Sequence, residues 1–228
     1  NTGTVNSPVF AAAIFNPFGL TDVSYSASPS FVDIDNDGDL DAFVGEFTGS
    51  IFFSRNIGTT SNPVFAAATI NPFGLIDVGD FVSPVFVDID NDGDLDAFVG
   101  GYQGNTLFFR NTGTASNPVF ATASTNPFGL TDVGIAASPS FVDIDGDGDL
   151  DALIGNSVGN TLFFRNNGTV SNPVFAAAST NPFGLSKVGY SASPAFVDID
   201  ADGDLDAFVC EFSGNTRYFV NIGQLLVS

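Results

Sequence analysis

The chain has 228 residues, of which 44% are hydrophobic and 26 are phenylalanine, so it can bury a substantial core. Its net charge is −21 with only five basic residues. This disfavours nucleic acids and anionic membrane surfaces as partners, because both are bound through clustered Lys and Arg. One cysteine, Cys210, excludes an internal disulfide framework. No signal peptide or 18-residue apolar run is visible, so we expect a soluble chain.

One pattern recurs four times at a spacing of 55 residues. Pro-Val-Phe begins at residues 8, 63, 118 and 173, and Asn-Pro-Phe-Gly begins at residues 16, 71, 126 and 181. Periods of this length are typical of propellers, solenoids and arrays. We therefore treat 1–228 as a single domain, with repeat units of approximately 1–55, 56–110, 111–165 and 166–220 and a tail 221–228.

The elements of one unit follow in chain order. Ser28 and Pro29 open a strand over 28–34, an aspartate-rich loop follows, and a second apolar strand covers 40–45. A turn near Gly49 leads to a third strand at 51–55, and a turn at 56–62 leads to a fourth at 63–67. Asn71-Pro72-Phe73-Gly74 marks a structured connection. The sequence thus predicts an all-β fold, a β-propeller of four 55-residue, four-stranded blades.

The ends of the chain bear on whether the ring closes. The chain begins just before a fourth strand and ends just after a third, so the segment 8–12 is placed to complete the last blade. That is the seam expected of a closed ring. An open array of blades, or half of a larger ring, is the alternative.

Each unit contains Asp-x-Asp-x-Asp-Gly-Asp-x-Asp, which we call the Asp loop. These loops hold 20 of the 26 acidic residues: Asp33, Asp35, Asp37, Asp39, Asp41, Asp88, Asp90, Asp92, Asp94, Asp96, Asp143, Asp145, Asp147, Asp149, Asp151, Asp198, Asp200, Asp202, Asp204 and Asp206. Two carboxylates about 6 Å apart repel by roughly 0.7 kcal/mol even in water. Five in nine residues therefore predict a bound cation.

The chemistry of the ligand atoms indicates which cation to expect. Hard oxygen ligands without His or Cys favour Ca²⁺ over Zn²⁺ or Cu²⁺, and their close spacing favours Ca²⁺ over Mg²⁺, with Mg²⁺ and Mn²⁺ left open. We expect about four Ca²⁺, one per repeat. Loop positions 1, 3, 5 and 9 are the predicted side-chain ligands, position 7 offers its carbonyl, and position 4 points outward. An EF-hand is rejected, because loop position 12, which should be Glu, is Val44 in the first unit.

With these motifs the chain resembles the FG-GAP/VCBS repeat family, which includes integrin α-subunit propellers. The Asp loop, the Ala-Phe-Val-Gly strand at 42–45 and the third strand ending in Arg55-Asn56 carry the resemblance over essentially the whole chain. It implies a β-propeller with structural Ca²⁺ between strands of each blade. The family's rings are usually seven-bladed, whereas this chain supplies four units, so two chains sharing an eight-bladed ring, or a filament, stay open.

A recognition surface is predicted opposite the metal. In a four-stranded blade the first and third turns lie on one face, and the second turn and the blade connection lie on the other. The units differ most in these latter segments, whose aromatic residues are the predicted partner contacts: Tyr25, Phe47, Phe81, Tyr102, Tyr190 and Phe212. The alternative explanation of this variation is sequence drift in loops that tolerate substitution.

Smaller features complete the predictions. Arg55, Arg110 and Arg165 should pair with carboxylates or cap a turn. Cys210 replaces a glycine of the other units and is expected to be a buried thiol. Asn167-Gly168-Thr169 is the single glycosylation sequon.

Two functions are weighed. The first is a calcium-stabilised extracellular structural or adhesive module, a subunit of a surface or fibrous assembly. The second is a lectin-like propeller, for which the irregular placement of tyrosines is unfavourable. An enzyme is not expected, because the chain has no histidine and no nucleophile–base pair, and its carboxylates are committed to metal.

Overall fold

The computed structural model describes residue 9 and residues 11–221, and their regular structure is almost entirely β-strand. Each repeat unit forms one antiparallel sheet, which we call a blade and number 1 to 4. The strands of blades 1 and 2 are β1 (Ser28–Val32), β2 (Asp41–Gly45), β3 (Ile51–Ser54), β4 (Thr69–Ile70), β5 (Ser83–Val87), β6 (Asp96–Gly100), β7 (Thr106–Phe109) and β8 (Ser124–Thr125). Those of blades 3 and 4 are β9 (Ser138–Val142), β10 (Asp151–Gly155), β11 (Thr161–Phe164), β12 (Ser179–Thr180), β13 (Ser193–Val197), β14 (Asp206–Cys210) and β15 (Thr216–Phe219).

Strands adjacent in sequence pair with each other in every blade. In blade 1, Ser28 lies opposite Gly45 and Val32 lies opposite Asp41, so the Asp loop is the turn between the first two strands. Blades 2 and 3 repeat this four-stranded order, and blade 4 has three strands among the described residues. The predicted positions of the first three strands are confirmed to within two residues.

The four sheets stand in a ring, which confirms the predicted four-bladed β-propeller. The starts of the four first strands border a central opening of about 520 Å³. Along this opening the hydroxyl oxygens of Ser28 and Ser83 are 3.3 Å apart, and those of Ser138 and Ser193 are 3.0 Å apart. Within the described part of the chain, no helix is long and apolar enough to cross a bilayer.

The predicted position of the fourth strand is wrong. In blade 1 this strand is Thr69–Ile70, and in 63–67 only Phe65 forms a bridge, to Asn56. The side-chain oxygen of Asn56 accepts the Val64 N–H at 3.0 Å, so this N–H is taken from the backbone ladder. The register then shifts by one residue before Thr69 pairs with Phe53, which is a β-bulge. Of the segment 8–12, predicted to complete blade 4, residues 8 and 10 lie outside the described residues, and residues 9, 11 and 12 are not in a strand.

The core lies between blades and is built from phenylalanine. Phe43 of blade 1 packs on Phe86 of blade 2 with ring centroids 4.2 Å apart, and Phe98 packs on Phe141 of blade 3 at 4.3 Å. Both Phe43 and Phe98 are fully buried. Such aromatic pairs add about 0.5–1.5 kcal/mol beyond the area they bury, so they are a major source of stability at the junctions.

The Asn-Pro-Phe-Gly connection is structured, as predicted. In the connection to blade 2 it forms a 3₁₀ turn, Pro72–Gly74, preceded by Asn71 in the left-handed conformation. The Asn71 side-chain oxygen accepts the Ile51 N–H at 2.8 Å, which holds the connection against the third strand of the blade before it. Phe73 then packs edge-on against Phe53 at 5.0 Å. The motif therefore fixes the conformation of the connection between one blade and the next.

Candidate metal centre

The four Asp loops lie at equivalent places in the ring, each between the first and second strands of its blade. In every loop the carboxylates of positions 1, 3 and 5 approach one another to within 4.8 Å, so one ion could contact all three. In blade 1 these residues are Asp33, Asp35 and Asp37. Side chains predicted from spacing alone to share a metal are thus brought together.

Hydrogen bonds within the loop set its curvature. The Asp33 carboxylate accepts the N–H groups of Asp37 and Gly38, both at 3.0 Å, and Asp37 accepts the N–H of Asp39 at 3.2 Å. Gly38 has φ 95°, a conformation that side chains other than glycine rarely adopt. Position 4 is exposed in every loop, as predicted, but it also has a positive φ, which the sequence did not reveal at Ala201.

Position 9 is the most buried carboxylate of each loop. In blade 1 this residue is Asp41, whose exposed fraction is 1%. One of its oxygens accepts the Asn56 N–H at 2.7 Å, and the other has no hydrogen-bond partner. Burial raises the pKa of Asp41 to about 6, although the Asn56 N–H works against this shift. The same cause raises the pKa of Asp96 to about 7 and that of Asp151 to about 6.

In all four Asp loops, at least one carboxylate oxygen is buried without a hydrogen-bond partner in the described structure. In blades 1 and 2 they belong to positions 3, 7 and 9, in blade 3 to positions 7 and 9, and in blade 4 to position 7. The residues are Asp35, Asp39, Asp41, Asp90, Asp94, Asp96, Asp149, Asp151 and Asp204. A buried anionic oxygen without a partner is costly, so these atoms fit a site that takes a cation. The side chain of position 7 is thus a candidate ligand besides its predicted carbonyl.

Sequence comparison with known families agrees with this geometry. Residues 33–99, 88–154 and 143–209 each match the model of the FG-GAP-like repeat, and together they cover well over half of the chain. The chain belongs to the FG-GAP-like repeat family. Each matched stretch begins at the first aspartate of an Asp loop, so the family pattern and the candidate metal centre coincide.

The other comparisons are more distant. No curated protein matches the sequence. Among solved structures, a chain of the Tc holotoxin pore of Photorhabdus luminescens is similar to this chain, with a TM-score of 0.47 and 14% sequence identity. The match covers 86% of this chain and 9% of that one, so this chain spans less than a tenth of the length of that chain.

Three of the FG-GAP-like repeats add an arginine to the Asp loop, which confirms the predicted pairing with carboxylates. Arg55 forms ion pairs with Asp35 and, at 3.3 Å, with Asp37. Arg110 and Arg165 repeat these contacts in blades 2 and 3. Blade 4 has Val220 at this position, and there the Tyr218 hydroxyl donates to Asp206 at 3.0 Å. The fourth loop therefore differs electrostatically from the others.

The aromatic residues predicted to contact a partner fall into two groups. Phe47, Phe81 and Tyr102 form a ladder across blades 1 and 2, with ring centroids 4.7 Å and then 5.7 Å apart. Tyr25, Tyr190 and Phe212 are each more than 70% exposed. The second turn and the connection do meet on one side, since the Phe81 N–H donates to the Phe47 carbonyl at 3.0 Å. The third turn meets the Asp loop on the opposite face of the ring, since the Thr60 hydroxyl donates to the Gly38 carbonyl at 3.2 Å.

The predicted burial of Cys210 is wrong. Its thiol is exposed and lies 3.3 Å from the Thr216 hydroxyl. The glycines at this position in blades 1 to 3 are packed under the next blade, whereas no blade among the described residues is packed over Cys210 in this way. The prediction failed because it extended the environment of an internal blade to the last one.

Proposed function

We propose that this protein is a calcium-stabilised, non-catalytic propeller module of an extracellular structural or adhesive assembly. The observation that carries the proposal is the set of partnerless, buried carboxylate oxygens in the Asp loops. Among them, Asp41, Asp96 and Asp151 are the first residues of second strands, so their side chains cannot turn out to water without disturbing the blade. A cation between them would remove the cost of burying their charge.

Calcium fits these loops better than other common ions. The donors are all oxygen, and each loop offers up to five carboxylates and a carbonyl, which suits the six to eight ligands of Ca²⁺. Asp35, Asp39 and Asp41 would direct their partnerless oxygens to the ion, and Asp33 and Asp37 would complete the set. Four such ions would offset eight of the 21 net negative charges.

This charge balance supports the proposed extracellular setting. Millimolar calcium would keep even weak sites filled, and binding would be coupled to folding because the unfolded chain has no preformed site. Inside a cell, where free calcium is scarce, the loops would retain most of their repulsion. A rigid ring held by ions also suits a load-bearing or adhesive module better than a switch.

Thermal unfolding with calcium, with magnesium and with EGTA tests the proposal, and native mass spectrometry counts the bound ions. We expect about four calcium ions and a melting temperature that falls by more than 10 °C on chelation, because several sites are lost together. The variant Asp35→Asn should lose one ion. Asp80→Asn removes an acidic residue outside the loops and should keep all of them. An unchanged melting curve in EGTA would refute calcium stabilisation.

A second candidate, glycan binding, is favoured by the aromatic ladder. The exposed edges of Phe47, Phe81 and Tyr102 offer adjacent apolar rings on which sugar faces can stack. A glycan array probed with the calcium-loaded chain, and with Tyr102→Ala as the matched variant, tests it. Binding that survives this substitution would show that the ladder is not the glycan site, and no binding to any glycan would remove the lectin alternative.

A further inference from the structure

Blade 2 has a cavity at a place where the other three blades carry a polar side chain. The second turn begins with Glu46 in blade 1, Asn156 in blade 3 and Glu211 in blade 4, whereas in blade 2 it begins with Gly101. A side-chain carbon at Gly101 would lie no closer than 3.6 Å to a neighbouring atom, the Val78 carbonyl oxygen. Gly101 lines a cavity of about 140 Å³. Because a water occupies about 30 Å³ in the liquid, the cavity has room for a small organic group.

Blade 3 shows which group suits this place. Its Asn156 side chain is 6% exposed. The amide nitrogen of Asn156 donates to the Val133 carbonyl at 2.9 Å, and its oxygen accepts the Asn160 N–H at 3.0 Å. The Asn160 side chain is held in turn by the Asn181 amide at 3.0 Å. One backbone acceptor and one backbone donor therefore recognise both ends of a carboxamide.

Blade 2 has the same two backbone groups around its cavity. Val78 and Asn105, which line it, correspond to Val133 and Asn160 of blade 3. The Asn105 side chain is held by the Asn126 amide at 2.7 Å, as in blade 3. Among the described residues, neither the Val78 carbonyl nor the Asn105 N–H has a hydrogen-bond partner. The cavity thus offers the acceptor and the donor that hold the carboxamide in blade 3.

The surroundings favour a carboxamide over a carboxylate. Glu46 of blade 1 accepts the Thr48 hydroxyl at 2.6 Å, and Glu211 of blade 4 accepts the Ser213 hydroxyl at 2.6 Å. Blade 2 has Gln103 at this position and so lacks the hydroxyl. A carboxylate would also face the valine carbonyl, which only a donor such as an amide N–H can satisfy.

We propose that the cavity of blade 2 is a binding site for a primary carboxamide, carried either by an asparagine side chain of a partner or by a small free amide. Tyr102 follows Gly101 and belongs to the aromatic ladder, with its ring 5.7 Å from that of Phe81. The body of the ligand would lie against these rings while its amide enters the cavity. The site adds a specific polar contact to the face that carries the ladder, and it does not depend on the proposed role of calcium.

Amide NMR of the whole isotope-labelled chain, titrated with propionamide, tests the site. We expect the largest shifts at the N–H groups of Gly101, Gln103 and Asn105, and a Kd of about 1–50 mM, since so small a ligand makes few contacts. Propionate and dimethylpropionamide both lack amide N–H donors and should bind about fivefold more weakly or worse. Equal binding of either one would overturn the carboxamide assignment, and no localised shift up to about 100 mM propionamide would overturn the site itself.

Two matched variants exchange the feature between blades. Gly101→Asn gives blade 2 the side chain of blade 3, and the position does not have a positive φ, so the variant should fold and lose propionamide binding. Asn156→Gly opens the equivalent place in blade 3 and should add a second site, seen as shifts at the Asn160 N–H. Unchanged binding in Gly101→Asn, or no added site in Asn156→Gly, would contradict recognition by these backbone groups.

A larger probe distinguishes the two sources of the amide. Acetyl-phenylalanyl-asparagine methylamide carries the same carboxamide together with a ring that can pack on Tyr102. Binding about threefold or more tighter than that of propionamide assigns the site to a side chain of a partner protein. Equal or weaker binding assigns it to a small free amide. All titrations can be repeated in EGTA, so failure of calcium stabilisation and failure of this site are read separately.

Discussion

The metal-free protein should lose stability as the pH rises from 5 to 7.5. Asp96 is the clearest case, because burial raises its pKa from 3.8 to about 7. A carboxyl whose pKa is higher in the folded chain binds more protons there than in the unfolded chain. Its stabilising contribution is complete below pH 3.8 and is lost as the pH rises through about 7. Asp41 and Asp151, each with a pKa of about 6, act in the same direction.

The size of this effect follows from the pKa values. The difference between 3.8 and about 7 corresponds to about 4 kcal/mol for Asp96, at about 1.4 kcal/mol per pH unit. In a chain of this length about 1 kcal/mol moves the melting temperature by about 2–4 °C. About 2.5 kcal/mol of the Asp96 contribution is lost between pH 5 and pH 7.5. Asp96 alone should therefore lower the melting temperature by about 5–10 °C over that range.

The assay is calorimetry or circular dichroism in EGTA over this pH range, repeated in calcium. The proposed calcium sites would take the ionised carboxylates, so the trend should reverse in calcium and stability should rise with pH. Asp96→Asn is the control, because it removes one titrating group and should flatten the metal-free profile. A metal-free melting temperature that rises from pH 5 to pH 7.5 would show that these carboxylates are not held in a costly environment.

Three further predictions concern local contacts. Gly45→Ala should destabilise the chain by about 1–3 kcal/mol in denaturant unfolding, because the added carbon meets the Val82 carbonyl, whereas Gly101→Ala has room and should be nearly neutral. Asn71→Ala should lower the free energy of unfolding by about 1–3 kcal/mol, because it leaves the Ile51 N–H without its acceptor. A loss no larger than that of the control Asn62→Ala would contradict this role. Arg165→Gln should lower metal-free stability only slightly, because this exposed arginine pairs with Asp145 and Asp147 in solvent. It should also increase the gain in melting temperature on adding calcium, and an unchanged gain would argue against charge competition at this loop.

Much of the site could be predicted because it is local in sequence. The Asp loops were located by spacing, and the arginine partners were predicted from their recurrence before asparagine. The burial of Asp41 could not be predicted, because it depends on the third strand supplying the Asn56 N–H across the sheet. The fourth strand was misplaced, because the Asn56 side chain diverts the Val64 N–H from the ladder.

The sequence by itself determined the repeat, the blade and the family. A strict 55-residue period with alternating strands and turns leaves few ways to bury so many phenylalanines, and the clustered aspartates predict a cation site in every repeat. Only the tertiary structure decided how blades meet. Whether Phe31 or Cys210 is covered depends on the relative placement of segments nearly 180 residues apart. No local sequence pattern encodes the distance between these two segments, because it is set by the combined geometry of the three blade junctions that separate them.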